Sequence, residues 1–300
     1  MIYYRDTKDI RLPESVVTLG KFDGLHIGHQ TLLAAMREKT GPGLPGVLFT
    51  FDPKDFRSRS LLSEEERREK AERLGVDIFL DWPFDEETRH MDPEGFIREI
   101  LCARLNMKYL VVGDDFRFGY KRSGDVETLA RFAYKYGYEV EILRKLTYLG
   151  DEVSSTRIRK CLEDGCMEDV TAMLGEPFSF RGRIVHGRHL GTQMGIPTIN
   201  VRPGAEKLLP PYGVYASVIR IGTEEYQGVS NLGVKPTVAD IQEPGLETYL
   251  FHAKEDLYGR EAEVRLLHQL RPEIRFESLE ELKKQIRSDC ESAIRYLNQD

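Results

Sequence analysis

The 300-residue chain has only four cysteines, at positions 102, 161, 166 and 290, and they form neither a CxxC pair nor a disulfide framework. That excludes a disulfide-stapled secreted scaffold and fits a reducing compartment. No apolar run approaches the ~20 residues that a membrane span needs, and the opening Met1-Ile-Tyr-Tyr-Arg-Asp6 lacks the apolar core of a secretion signal. Positive charge is short as well: 43 Lys and Arg against 50 Asp and Glu leave a formal net charge of −7. A general nucleic-acid or acidic-membrane surface is thereby excluded, and any polyanion site has to be local. His186, His189, His252 and His268 have no metal-ligand spacing, and neither an internal repeat nor a low-complexity tract is present. A soluble cytoplasmic protein is expected, with small-molecule partners, no nucleic acid, no membrane and room for a weak homo-oligomer.

Three hundred residues suffice for about two domains of ~150 residues. Strand-like runs at 15–19, 46–51, 77–80, 109–112 and 139–143 alternate with helical patterns, the βαβ rhythm of a doubly wound parallel sheet. Helix starts are legible at Ser63 with Glu66, a capping box, and at Asp92 followed by Pro93. Further helices are expected from Ser154 or Ser155 and over Met167 to Leu174, ending at Gly175. After Pro177 the β-like runs 178–185, 213–221, 225–231, 246–251 and 261–269 follow without intervening helices, so antiparallel pairing or a barrel is expected. A terminal helix opens at Ser278 with Glu281, a second capping box, and carries Leu279, Leu282, Ile286, Cys290, Ala293, Ile294 and Leu297 on one face. The expected domains are 1–176, α/β, and 177–300, all-β with a closing helix.

What the sequence does contain is Thr18-Leu-Gly-Lys-Phe-Asp-Gly-Leu-His-Ile-Gly-His29, two histidines three apart where a strand hands over to a helix. A helix N-terminus favours an anion, and His26 and His29 on its first turn can add donors, with Gly28 keeping a side chain out from between them. Three further segments join it at strand ends or helix starts: Phe49-Thr-Phe-Asp-Pro53, Val112-Gly-Asp-Asp-Phe-Arg-Phe-Gly119, and Val153-Ser-Ser-Thr-Arg-Ile-Arg159. Doubly wound folds bind ligands in such places. Taken singly, Ser154 to Thr156 read as N-capping and Phe116 and Phe118 as core packing. Their coincidence carries the reading of a phosphate site.

These segments resemble the signatures of the prokaryotic FAD synthetase family, whose members are HxGH nucleotidyltransferases. The resemblance implies adenylyl transfer, in which the FMN phosphate attacks the α-phosphorus of ATP and pyrophosphate leaves. By it, His26, His29 and Arg159 are catalytic, while Gly20, Phe22, Asp23, Gly24, Gly28, Ser154, Ser155 and Thr156 hold the nucleotide and its phosphates. Asp115, Phe116 and Phe118 would position nucleotide or flavin. The family usually continues Phe-Asp-Pro with His-Pro, whereas this chain continues with Lys54-Asp55. An impaired adenylyltransferase beside a working kinase therefore stands as the alternative.

In the second half, Gly187, Gly191 and Gly195 are spaced four apart and run into Pro197-Thr198-Ile199-Asn200. Such glycines let backbone N–H groups approach a polyphosphate, and the Thr and Asn oxygens suit Mg²⁺. With Pro211 to Tyr215, Gly228 to Thr237, Leu246 to Phe251 and Leu257-Tyr-Gly259, the segment resembles riboflavin kinase over nearly all of 178–297. That resemblance implies a six-stranded antiparallel barrel with a C-terminal helix and transfer of the ATP γ-phosphoryl to riboflavin. Glu247 is then the catalytic base, Thr198 and Asn200 hold Mg²⁺, the glycine loop covers ATP, and Asn231 positions flavin. Tyr249 stands where the family usually has His. The combined expectation is a bifunctional enzyme converting riboflavin to FMN and FMN to FAD, each with Mg-ATP. A non-catalytic flavin-binding regulator that keeps both folds is the other alternative.

Overall fold

The structure is a computed structural model that describes residues 1–51, 59–185, 198–236, 242–253 and 257–298. Its chain contacts divide it into two compact units, Met1–Ser155 and Thr156–Asp300.

The first unit is organised by short apolar segments, buried along their whole length in β2 and β4 and partly exposed toward the sheet edges. Its strands are β1 (Ile2–Arg5), β2 (Ser15–Leu19), β3 (Gly46–Phe51), β4 (Ile78–Trp82), β5 (Met107–Gly113) and β6 (Glu139–Leu143). All pair in parallel, in the order β1-β4-β3-β2-β5-β6. Every residue of β2 and β4 is buried, as a parallel sheet covered on both faces requires. Val17, Leu19, Phe49, Leu80 and Trp82 feed one apolar layer. Val16, Leu48, Phe79 and Val111 feed the other, against Leu33 and Met36 of α1 (Ile27–Glu38). Strand order reverses at β2, where β3 and β5 lie on its two sides, and the crevice at the C-terminal end of such a switch point is where these folds take ligands.

The expected helix starts are present. Ser63 and Glu66 form a reciprocal capping box on α2 (Glu64–Arg73). Asp85 caps α3 (Glu86–His90), and Asp92 caps α4 (Pro93–Gly95), which continues into a π-helical stretch, Phe96–Cys102. Asp125 caps α5 (Val126–Tyr136), which Gly137 ends in the left-handed conformation at φ 70°. A two-stranded ribbon, β7 (Thr147–Tyr148) with β8 (Asp151–Glu152), precedes α6 (Ser155–Glu163). β1 was not among the strands expected from sequence. It is four residues long and partly exposed, so its apolar pattern is weak.

The second unit takes in α6 from Thr156 onward, then α7 (Met167–Leu174), the strands β9 (Phe178–Arg183), β10 (Thr198–Val201), β11 (Gly213–Ile221), β12 (Glu224–Pro236), β13 (Gln242–Leu250) and β14 (Glu261–Pro272), and α8 (Leu279–Leu297). The strands run antiparallel in the order β10-β13-β12-β11-β14-β9. A bridge between Val185 and Asn200 joins the two edges, so the sheet curls into the expected barrel. α7 packs on β9 and β14, which groups it by contact with the barrel although it precedes residue 177. α8 lies on β11, β12 and β14. Its Ile286 and Ala293 are buried, whereas Leu279 and Ile294 of the expected apolar face are exposed. Its capping is one-sided: Ser278 accepts from the Glu281 N–H, but the Glu281 carboxylate takes the N–H of Glu277 rather than of Ser278.

One buried ion pair ties α2 to the sheet. Arg67 Nη2 lies 3.2 Å from both Asp81 oxygens, and the Tyr3 hydroxyl donates to Asp81 at 2.6 Å. Arg67→Met should destabilise the first unit by about 3–5 kcal/mol because it leaves a buried carboxylate without its cation. Chemical denaturation is the measurement, and adding Asp81→Asn should recover part of the loss.

Candidate functional site

The turn from β2 into α1 is built from conformations that side chains rarely adopt. Phe22, Gly24 and Leu25 have φ of 49°, 81° and 43°, and for the two non-glycine residues this costs on the order of 1–3 kcal/mol each unless tertiary contacts enforce it. Those contacts are present. The Phe22 and Leu25 side chains are wholly buried, Asp23 Oδ1 accepts from the Leu61 N–H at 2.9 Å, and the Asp23 carbonyl accepts from Ser155 Oγ at 2.9 Å. Gln30 Nε2 donates to the Leu25 carbonyl at 2.9 Å, and Lys70 Nζ donates to that of Gly24 at 3.3 Å. A Cβ on Gly20 would stand 3.2 Å from the Phe22 ring, so the glycine leaves that ring its place.

The turn delivers His26 to the N-cap of α1, where its Nδ1 accepts the N–H of His29 at 3.3 Å. An imidazole thus does the work usually given to Ser or Asp. Accepting at Nδ1 leaves Nε2 as the protonated nitrogen of the neutral ring. The His26 and His29 rings stack at 3.6 Å, and Phe22 meets His29 edge-on at 5.0 Å. A Cβ on Gly28 would sit 3.3 Å from the His26 ring, hence the glycine between them. His29 Nδ1 is buried and has no partner among the described residues.

Both imidazoles are held neutral. Burial, then the charge of Lys70, pushes His26 down to about 4 against a hydrogen bond with the backbone that works the other way. Burial, then His26 and Lys70, holds His29 well below its ordinary value. The arrangement is a helix N-terminus carrying two neutral imidazoles, stacked, with a lysine ammonium nearby. It can donate hydrogen bonds to an anion and stabilise charge that develops on it.

Other residues expected at this site are distributed less evenly. Asp115 is exposed and pairs with Lys145 at 2.9 Å. Phe118 is a core residue at 6 % exposure, and Phe116 stacks on it at 5.7 Å, half-buried. Ser154 is half-buried, and Thr156 and Arg159 lie in the first two turns of α6, exposed and half-buried respectively. The structure therefore joins Ser155 to the histidine turn directly. Lys54 and Asp55 lie outside the described residues, as do Gly187, Gly191 and Gly195. Lys70 was not anticipated, because nothing in the charged run of α2 distinguishes its buried side from its wet one.

In the second unit, strand register assembles a polar row. Asn200 on β10 pairs with Glu247 on β13, which pairs with Asn231 on β12, which pairs with Val214 on β11 and through it Arg271 on β14. Residues opposite one another across strands share a face. Thr198, Tyr249 and Val229 form the neighbouring row on that face. Asn200 Nδ2 and Asn231 Oδ1 are buried with no hydrogen-bond partner among the described residues. Glu247 between them is half-buried. Beside this row, Val214, Val229, Asn231, Tyr249 and Arg271 of the barrel and Ile286 of α8 line a pocket. Arg271 closes it with a forked pair to Asp289 of α8, at 2.9 and 2.7 Å, and Gln285 also donates to Asp289 at 2.9 Å. Burial raises the Tyr249 phenol, and the Glu247 charge adds to that, so it stays protonated. Among the described residues no cluster of three or more His, Cys, Asp or Glu could hold a metal.

Comparison with known proteins matches both units. Residues 9–157 match the FAD synthetase family and residues 174–297 the riboflavin kinase family. The bifunctional riboflavin kinase/FMN adenylyltransferase of Escherichia coli K12 is 38% identical over 284 residues, covering 91% of this chain and 90% of that protein. The protein of the same name from Listeria monocytogenes is 34% identical over 283 residues, covering 91% and 90%. A solved structure described as a macrolide-efflux protein from Streptococcus pneumoniae superposes with a TM-score of 0.85 at 28% identity, covering 100% of this chain and 99% of that one. No described helix of this chain is long and apolar enough to cross a membrane.

The depressed His26 gives a pH-dependent stability. Its value falls from 6.5 unfolded to about 4 folded, so between those values the unfolded chain binds more protons and stability rises with pH. The contribution is complete above 6.5 and is lost as pH falls toward 4, by about 3 kcal/mol in all. Denaturation of the first unit should show this acid loss, and His26→Gln should reduce it.

Proposed function

The chain belongs to the bifunctional riboflavin kinase/FMN adenylyltransferase family, and on that premise we propose which residues carry each reaction. It phosphorylates riboflavin to FMN with ATP, then adenylylates FMN to FAD with ATP and releases pyrophosphate. Adenylyl transfer is assigned to 1–176 and phosphoryl transfer to 177–300.

For adenylyl transfer, the observation that carries the assignment is the stacked, neutral His26–His29 pair at the N-terminus of α1, on the switch point of the sheet. An FMN phosphate oxygen attacks the α-phosphorus of ATP, and the bond to the pyrophosphate oxygen breaks. The nucleophile is already anionic, so the site needs alignment and charge stabilisation rather than a base. His26 offers its Nε2 proton, His29 its ring, and the first N–H groups of α1 their dipole. Gly20, Phe22, Asp23, Gly24 and Gly28 shape the turn around the nucleotide. Ser154, Ser155, Thr156 and Arg159 serve the triphosphate, supported by the Ser155 tether to Asp23. Asp115, Phe116 and Phe118 belong near nucleotide or flavin, Phe118 as core support for Phe116.

For phosphoryl transfer, riboflavin lies in the pocket under α8, where apolar Val214, Val229 and Ile286 suit the ring system. Asn231 is shared between that pocket and the Glu247 row, which brings the ribityl end toward the carboxylate. Glu247 takes the proton of the terminal hydroxyl as its oxygen attacks the γ-phosphorus and ADP leaves. Thr198 and Asn200, two apart on one face of β10, suit Mg²⁺, a hard cation that takes most of its ligands from water and phosphate and needs few from protein. The unpartnered atom of Asn200 is its Nδ2, a donor that suits a phosphate oxygen and leaves Oδ1 to face the cation. When bound, Mg²⁺ neutralises phosphate charge. Gly187, Gly191 and Gly195 are assigned to ATP by their sequence pattern.

An impaired adenylyltransferase, suggested by Lys54-Asp55, is not favoured, because the FAD synthetase match spans 9–157. A non-catalytic regulator is disfavoured by the intact Glu247 row. We place the protein in the cytoplasm, acting on small molecules alone, with at most weak self-association. The test is separation of flavins after incubation with riboflavin, ATP and Mg²⁺. Glu247→Gln should lower FMN formation by about 10²–10⁴-fold and leave FAD formation from supplied FMN intact. His29→Asn should do the reverse, and FMN without FAD from the unaltered protein would sink the assignment to two working sites.

A further inference from the structure

α2 reads as a surface helix, Glu64-Glu-Glu-Arg-Arg-Glu-Lys-Ala-Glu-Arg73, yet it buries two cations. Burial of a cation is costly unless the surroundings are arranged for it. Arg67 has its arrangement in Asp81. Lys70, at 4 % exposure, directs one of its donors to the Gly24 carbonyl at 3.3 Å. Gly24 is one of three positive-φ residues, with Phe22 and Leu25, in the turn that sets the direction of His26. Of the side chains that tether this turn, Gln30 and Ser155 are neutral and Asp23 is the turn's own carboxylate, held by the Leu61 N–H. Lys70 adds a positive charge to these tethers.

We propose that Lys70 is a positioning residue of the adenylyl-transfer site: its ammonium fixes the Gly24 carbonyl, and with it the His26–His29 pair, and sets a buried positive charge behind the turn that receives the ATP phosphates. This rests on the assignment of that turn to ATP. A polyphosphate binding at the α1 N-terminus meets a charge already in place, so no flexible cation has to be ordered when it arrives. The same charge disfavours protons on the two rings, which keeps them hydrogen-bond donors to the phosphates rather than mutually repelling cations. Among the described residues, the charged groups that act on the rings are each other and Lys70, with Asp23 adjacent in the turn.

The experiment compares Lys70→Met, Lys70→Gln and Lys70→Arg in the full chain, reading FMN-to-FAD and riboflavin-to-FMN rates in the same preparation. Met and Gln should lower kcat for FAD formation about 10-fold or more, with a smaller change in KM for FMN, and should move the acid limb of its pH profile upward. Arg should restore activity to within about 3-fold, and riboflavin phosphorylation should be unchanged throughout. Wild-type FAD formation with unmoved kcat and acid limb in Met and Gln overturns the proposal. So does loss of the first unit's unfolding transition in both, with normal folding in Arg, since Lys70 would then be a core element only. Absence of FAD from the unaltered protein would instead count against the assignment of the turn.

Discussion

The hydrogen bond from the His29 N–H to the His26 imidazole is the constraint from which the first site follows. It caps α1, selects the tautomer of His26, and requires the chain to leave β2 through three positive φ angles. Burial of Phe22 and Leu25 enforces that path, so the strain of the turn is balanced by the core beneath it. Neutral rings are a consequence of the same enclosure. A more open turn would let them charge, and two stacked imidazolium ions would part.

The second site rests on a different physical basis. None of the described residues of its polar row has a positive φ. Strand register alone sets Asn200, Glu247 and Asn231 side by side, because antiparallel partners share a face and a one-residue slip would turn each of them away. A parallel sheet offers chemistry at its strand ends and a barrel offers it along its walls. The chain holds one architecture of each kind, and its two displacements at phosphorus differ as well: one nucleophile is already an anion, the other is an alcohol that needs a base.

Much of this was legible beforehand, for identifiable reasons. β2 and β3 were bounded correctly because a covered parallel strand is an unbroken apolar run, β6 because its valine, isoleucine and leucine follow the helix-ending Gly137, and α7 because Gly175 marks its end. The histidine turn was legible because glycines and histidines are rare in such density. β10 was not expected as a strand, since four residues behind a proline carry too little pattern. α2 was legible as a helix but not as to what it buries, for its inward face is Glu66, Arg67, Lys70 and Ala71. Hydrophobic periodicity says nothing about a side that is charged by design. The Arg271–Asp289 pair was equally hidden, its partners lying on two elements that only the fold brings together.

That pair also roofs the pocket beside the Glu247 row. α8 touches the barrel through Ile286 and Ala293, through Cys290, Tyr296 and Leu297 packed on the same apolar cluster, through the Tyr296 hydroxyl on the Leu267 carbonyl, and through this fork. The strands that hold Glu247 take their ladder bonds from one another and not from α8, so the wall of the pocket and its roof are held by separate sets of bonds. Closing that pocket is thus the task of side chains on one helix, while its shape along the wall is set by backbone register.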